Sequence, residues 1–163
     1  MSNNKYLKLH SLLRMFGALL AIIIFISMFI AKQVVGTGIF KDVFFDFSNG
    51  AFFGDTEYHL CDGNVLGFFG YLFVLLGGLA GLAFVFIDEI IGKKLTDLLS
   101  YVAGGVVVLG AIFILLFAPM FKGINGSGFD NYTTAAAPIV FGILALIVGA
   151  INISAPILEK KIK

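Results

Sequence analysis

The chain has 163 residues, 60% of them hydrophobic and 13% charged, with a mean hydropathy of +1.03 and a net charge of +1. A soluble domain carries about 25% charged residues, so this composition leaves too little polar surface for water and excludes an ordinary soluble fold. The small net charge, with no long basic run, excludes a nucleic-acid partner, because phosphate binding needs clustered Lys and Arg.

Uncharged apolar runs occupy residues 15–31, 63–87, 98–121 and 131–158. Each is long enough to cross a hydrocarbon layer about 30 Å thick as a helix. They predict an all-α membrane protein, a four-transmembrane-helix bundle forming one integral membrane domain over residues 1–163. The spans are expected at about 12–31, 63–87, 98–120 and 134–157, with outer loops at about 32–62 and 121–133.

Lys5, Lys8 and Arg14 precede the first run in the charge layout of a signal sequence. The run is too long for a signal core and no A-x-A site follows it, which predicts an uncleaved first span with Gly17, Ala21 and Ser27 as its small residues. In the first outer loop, Asn49-Gly50 between phenylalanine-rich flanks predicts a small β-hairpin. So much Phe outside the spans predicts contact with lipid, the bundle or a partner. If the next stretch is extended, Asp55, Glu57, His59 and Cys61 share one side, a donor set suited to zinc. Four successive ligands on one strand cannot all reach a single ion, so a solvated acidic loop is the expectation, with no metal and no cofactor. The lone Cys61 excludes an internal disulfide.

Asp62 is positioned to cap the second span. That span carries Gly63, Gly67, Gly70, Gly77 and Gly81, small residues that let helix backbones approach in lipid, where burying leucine against leucine gains little. Asp88 and Glu89 end it against the helix dipole; headgroup-level pairing with Lys93 and Lys94 accounts for them, and contact with a basic cytosolic partner is the alternative. The third span follows a loop at 88–97, with Asp97 as its expected cap, Ser100, Gly104 and Ala111 as small residues, and Pro119 where it should stop. The second outer loop holds two N-glycosylation patterns, at Asn125 and Asn131. The fourth span, capped by Thr133 or Thr134, reads Ala135, Pro138, Gly142, Ala145, Gly149, Asn152, Pro156, the 3-4 spacing of a left-handed helix pair. Pro156 has no N–H to give the carbonyl of Asn152, which makes Asn152 and Pro156 a candidate hinge. Gly78 and Gly105 lie off the main stripes.

Four spans put both termini on one side, together with Lys5, Lys8, Arg14, Lys93, Lys94, Lys160, Lys161 and Lys163, against Lys32, Lys41 and Lys122 on the other. The positive-inside rule then predicts cytoplasmic N and C termini. The compact chain suits a bacterial plasma membrane better than a eukaryotic one, although the lysines at its end resemble a dilysine retrieval signal.

A long first outer loop and a shorter second one resemble the claudin and peripheral-myelin layout. The chain departs from that signature in having no Trp and one Cys, so the likeness is one of topology, and topology does not transfer function. The absence of Cys-x-x-Cys excludes a four-span disulfide oxidase. With no ionisable residue in the middle of a span, a proton-coupled exporter is disfavoured. His10 and His59 fall on opposite sides of the membrane and cannot share a site. The leading expectation is a non-enzymatic protein that packs against lipid and against another membrane protein or a second copy, as an accessory or scaffold subunit. The alternatives are a homo-oligomeric pore or channel component and a transporter subunit for a small or lipid-like molecule.

Overall fold

A computed structural model describes residues 8–46, 50–54 and 60–161. Helices α1 (Leu9–Ser27), α2 (Val65–Ile91), α3 (Lys93–Leu115) and α5 (Ala136–Lys161) are each long and apolar enough to cross a membrane, the architecture of a multi-pass membrane protein. Between α3 and α5 lies a short helix, α4 (Phe117–Asn125). The long helices form a ring in which α1 and α3 each pack on both α2 and α5, while α2 and α5 also meet across the short diagonal. One end carries the start of α1, the α2–α3 junction and the end of α5, and is called the terminal end. The other is closed by a sheet.

The expected loop at 88–97 is reduced to one residue. Gly92, at φ 85°, joins α2 to α3 directly, a backbone conformation that only glycine adopts without strain. Asp97 therefore lies inside α3 and caps nothing. At the start of α2 the cap is Asn64 instead of Asp62: its Oδ1 accepts from Gly67 N at 3.1 Å, and its Nδ2 donates to the carbonyl of Phe117 at 3.2 Å. Asp62 is tied to Asn125 through its own backbone. Asn64→Ala removes a cap and a bond between elements at once, and should lower stability by about 1–2 kcal/mol, read by unfolding in detergent. Asn125 bonds Asp62 and Phe121 through its carboxamide, so the first glycosylation pattern falls on an occupied side chain.

Pro119 acts earlier than its position in the sequence implies. With no N–H to return to the carbonyl of Leu115, it breaks the helical run at Leu116, and the chain resumes as α4. Thr134 does not cap α5; its hydroxyl accepts the Ala118 N–H at 3.2 Å, at the start of α4.

The sheet has three strands in the order β2 (Phe44–Phe45), β1 (Val34–Gly36), β3 (Tyr132–Thr134), with both pairings antiparallel. Val34 stands opposite Phe45 on one side and Thr134 on the other. The loop between α1 and α2 thus contributes a small hairpin, which turns through residues 37–43. Asn49 lies outside the described residues and Gly50 sits in a turn. The third strand comes from the loop between α4 and α5, which joins the two loop segments across the end of the bundle.

This sheet shelters part of the phenylalanine-rich loop. Phe45 packs on Phe121, Phe129 and Tyr132, and Phe52 stands edge-on to Phe117 with ring centroids 5.2 Å apart. Phe52 and Phe117 are fully buried. Below them Gln33, also fully buried, closes the core. Its Nε2 donates to the carbonyl of Ala31 at 2.9 Å, its Oε1 accepts from the Tyr71 hydroxyl at 3.0 Å, and its backbone carbonyl accepts from Ala135.

Candidate functional site at the terminal end

The small residues of the spans face one another inside the ring. A Cβ on Gly70 would lie 2.9 Å from the carbonyl oxygen of Gly110, and one on Gly110 would lie 2.5 Å from that of Gly70, so α2 and α3 touch backbone to backbone. Further along α2, Gly77 meets Val107 and the carbonyl of Ala103; Gly67 lies under the Phe117 ring. On the α3–α5 seam, Gly142 meets Leu115, and Gly149 meets Val108 and the carbonyl of Gly104. Ala145 is fully buried. Gly78, off the stripe in sequence, meets Ala21 of α1, whereas Gly105 has nothing within 4 Å. Gly63 precedes α2 and packs against the backbone of Phe53 and Gly54.

Gly81 leaves room for one side chain in particular, the carboxamide of Asn152. Its Nδ2 donates to the carbonyl of Gly77 at 3.0 Å. The carbonyl of Asn152, which Pro156 cannot serve, accepts from Ser100 Oγ at 2.9 Å. Ser100 Oγ in turn accepts from Arg14 Nη2 at 3.0 Å. One chain of hydrogen bonds thus runs from α1 through α3 and α5 to α2. Helix α5 continues unbroken through Pro156 because a neighbouring helix supplies the missing donor.

Arg14 is the departure from the sequence reading. It belongs in α1, not among the flanking headgroup cations, and is only 3% exposed. It lies five residues, about 7.5 Å, along the helix axis from Leu9. Its guanidinium carbon stands 6.0 Å from the centre of the Phe84 ring. Its Nε is buried without a hydrogen-bond partner, and among the described residues no carboxylate forms an ion pair with it.

The carboxylates nearby hold other cations. Lys93 Nζ bonds Asp97 Oδ1 at 2.6 Å and Glu159 Oε2 at 2.5 Å, and Lys160 reaches Asp97 Oδ2 at 3.2 Å. His10 Nε2 lies 3.9 Å from Glu159. Lys93 thus serves α3 and α5, and not the end of α2 as its spacing from Asp88 and Glu89 implies. Asp88 and Glu89 also line a cavity of about 230 Å³ between α1, α2, α3 and α5, together with Lys8, His10, Arg14, Lys93 and Glu159.

The chain matches no known protein family and no curated protein. Among the described residues no group of three His, Cys, Asp or Glu is placed to hold a metal. Asp55, Glu57 and His59 lie outside the described residues, and Cys61 is buried. Two signals in the sequence point to the site: Pro156 four residues after Asn152, which requires a donor from elsewhere, and Lys93 four residues before Asp97, the spacing of an ion pair on one helix face.

Proposed function

We propose that the protein is a non-enzymatic, multi-pass membrane protein that works by packing, as an accessory or scaffold subunit of a membrane complex. What supports this reading is the packing at mid-bundle: small residues fill the seams, and Asn152, Ser100 and Gly77 bond to one another between the helices. Among the described residues, that packing leaves Val74, Val107 and Val148 fully buried at mid-bundle. A path between copies would need a polar wall, and the outward faces carry residues such as Leu19, Leu76, Leu109 and Ile143. Both points weigh against the homo-oligomeric pore. A transporter subunit for a small or lipid-like molecule draws support from one observation, the cavity beside Arg14.

We place the terminal end in the cytoplasm of a bacterial plasma membrane. Taking the buried Arg14 out of the flanking count leaves seven cations on the terminal side (eight less Arg14) against three on the other, and the positive-inside rule counts cations near the span ends. Asp88 and Glu89 then face the cytosolic side, where a basic partner segment can meet them.

Native mass in lipid nanodiscs, after gentle extraction from the protein's own membrane, tests the reading. A single copy bound to a different membrane protein is the expected result. A symmetric assembly of this chain alone would contradict it.

A further inference from the structure

We propose that the cavity beside Arg14 binds one oxyanion of the phosphate class, held by the guanidinium. Ionisable side chains within membrane helices are rare and almost always paired. Arg14 is the only arginine of the chain and is buried, yet among the described residues no carboxylate pairs with it. A guanidinium carries five N–H donors. Among the described residues Arg14 makes one hydrogen bond, to the Ser100 hydroxyl, and its buried Nε has no partner. The residue lines the cavity, which is where an acceptor for its unused donors can arrive. Ser100 and Phe84 hold the guanidinium on two sides, so it is organised before a ligand binds.

The carboxylates around the cavity are occupied. Glu159 holds Lys93 at 2.5 Å and lies 3.9 Å from His10 Nε2. Asp88 and Glu89 have interactions of their own. Lys8, Arg14 and Lys93 line the space against Asp88, Glu89 and Glu159, so with His10 neutral the wall is close to balanced. Such a wall admits one negative charge at the buried cation and disfavours a polyanion such as a nucleotide. The planar fork selects an oxyanion, which accepts two parallel bonds, over a spherical ion such as chloride. At about 230 Å³ the cavity is also smaller than the roughly 300–1,000 Å³ of cofactor and drug sites. Arg14 lies about 7.5 Å along the helix axis from Leu9, close below the level of lipid phosphates, and Lys8 adds an exposed cation on the same wall. A lipid phosphodiester and a free phosphate ion are two sources of the same chemistry. The inference does not depend on the accessory-subunit reading.

The single arginine makes the test direct. The full chain in neutral detergent is treated with butanedione, a small arginine-selective dicarbonyl, and the Arg14 adduct is read by intact mass. One pair of probes is inorganic phosphate against chloride at equal ionic strength. The other is phosphatidylglycerol against a glycosyl diacylglycerol of the same acyl chains, which lacks phosphate. A phosphate-bearing probe should slow the modification by about tenfold relative to its control, the worth of one charge-assisted hydrogen bond. Protection by inorganic phosphate identifies the free ion as a source, and protection by phosphatidylglycerol alone identifies the lipid. In native mass spectrometry R14Q should lose the protecting probe, and R14K, which keeps the charge but loses the fork, should retain part of it. Should R14Q not fold, protection in the unaltered chain decides. Equal modification rates within both pairs, or a probe retained equally by R14Q, would overturn the proposal. So would an Arg14 that butanedione never modifies, because a guanidinium closed to so small a reagent does not admit a phosphate.

Discussion

Gly70→Leu should prevent the bundle from assembling. A Cβ on Gly70 would fall 2.9 Å from a backbone oxygen of α3, and backbone cannot rotate away as a side-chain tip can. Overpacking a filled core costs about 1–3 kcal/mol for added methylenes. Leucine adds four carbons at a point where two helix axes must separate to admit them, and whole domains are stable by only about 5–15 kcal/mol. Gly70→Ala should cost about 1–3 kcal/mol and leave a folded protein. The control is Gly105→Leu, at a position with nothing within 4 Å, where a change within about 0.5 kcal/mol is expected. Unfolding in mixed micelles measures all three. Equal stability of the Gly70 and Gly105 leucine variants would mean that α2 and α3 do not touch at Gly70 and Gly110.

Ser100→Ala should be the second most damaging change for its size. It leaves Asn152's carbonyl without a donor, and the guanidinium of Arg14 without its acceptor. An unsatisfied buried group costs about 1–3 kcal/mol, more if charged, while single hydrogen bonds between membrane helices average about 0.6 and reach about 1.7 kcal/mol. Two groups are orphaned here and one is an ion, so the upper part of that range applies, about 2 kcal/mol. A double-mutant cycle with Pro156→Ala isolates the cause. Alanine at 156 restores the N–H that the Asn152 carbonyl lacks. Removing Ser100 should then cost about 1 kcal/mol less in that background than in the wild type. Strictly additive costs would show that the serine does not serve that carbonyl.

The parts of the fold legible in the sequence are those set by composition over a long window. Four spans follow from hydropathy, since any stretch of twenty apolar residues must find the same solvent. Their ends were less legible. Asp62, Asp97 and Thr134 are all good cap residues, yet Asn64 caps α2, Asp97 sits one turn inside α3, and Thr134 serves α4. Cap propensity is a local preference of a few residue types shared by neighbours, and tertiary partners choose among them. Asn49 lies outside the described residues, and residues 51–53, where a strand is expected to follow Gly50, form a turn. A turn signal competes with pairing between distant segments, and β1 takes a partner from the loop between α4 and α5, about a hundred residues away.

The site was legible only in fragments. Arg14 beside Lys5 and Lys8 reads as one more flanking cation, because a run of positive charge before a span has a sufficient explanation in topology. Its burial depends on α3 presenting Ser100 and α2 presenting Phe84 at the same depth, a coincidence of three helices that no window along one of them contains. The pair of Asn152 and Pro156 was visible, and the missing donor could be stated, but its source on α3 could not. Those same bonds favour a fastened junction over a hinge at that position.

The central claim is that the interior between the spans is closed and dry. Val74, Val107 and Val148, one each from α2, α3 and α5, are fully buried near mid-bundle. Each can be changed to cysteine without adding volume. The decisive measurement is labelling of V74C, V107C and V148C in nanodiscs by a water-soluble thiol reagent, read by intact mass, with an exposed-loop cysteine at Lys41 as the positive control. The closed bundle predicts full labelling at position 41 and none beyond the native Cys61 background at the three valine positions. Rapid labelling at any of the three would reveal a water path between the helices and restore a pore or transport function.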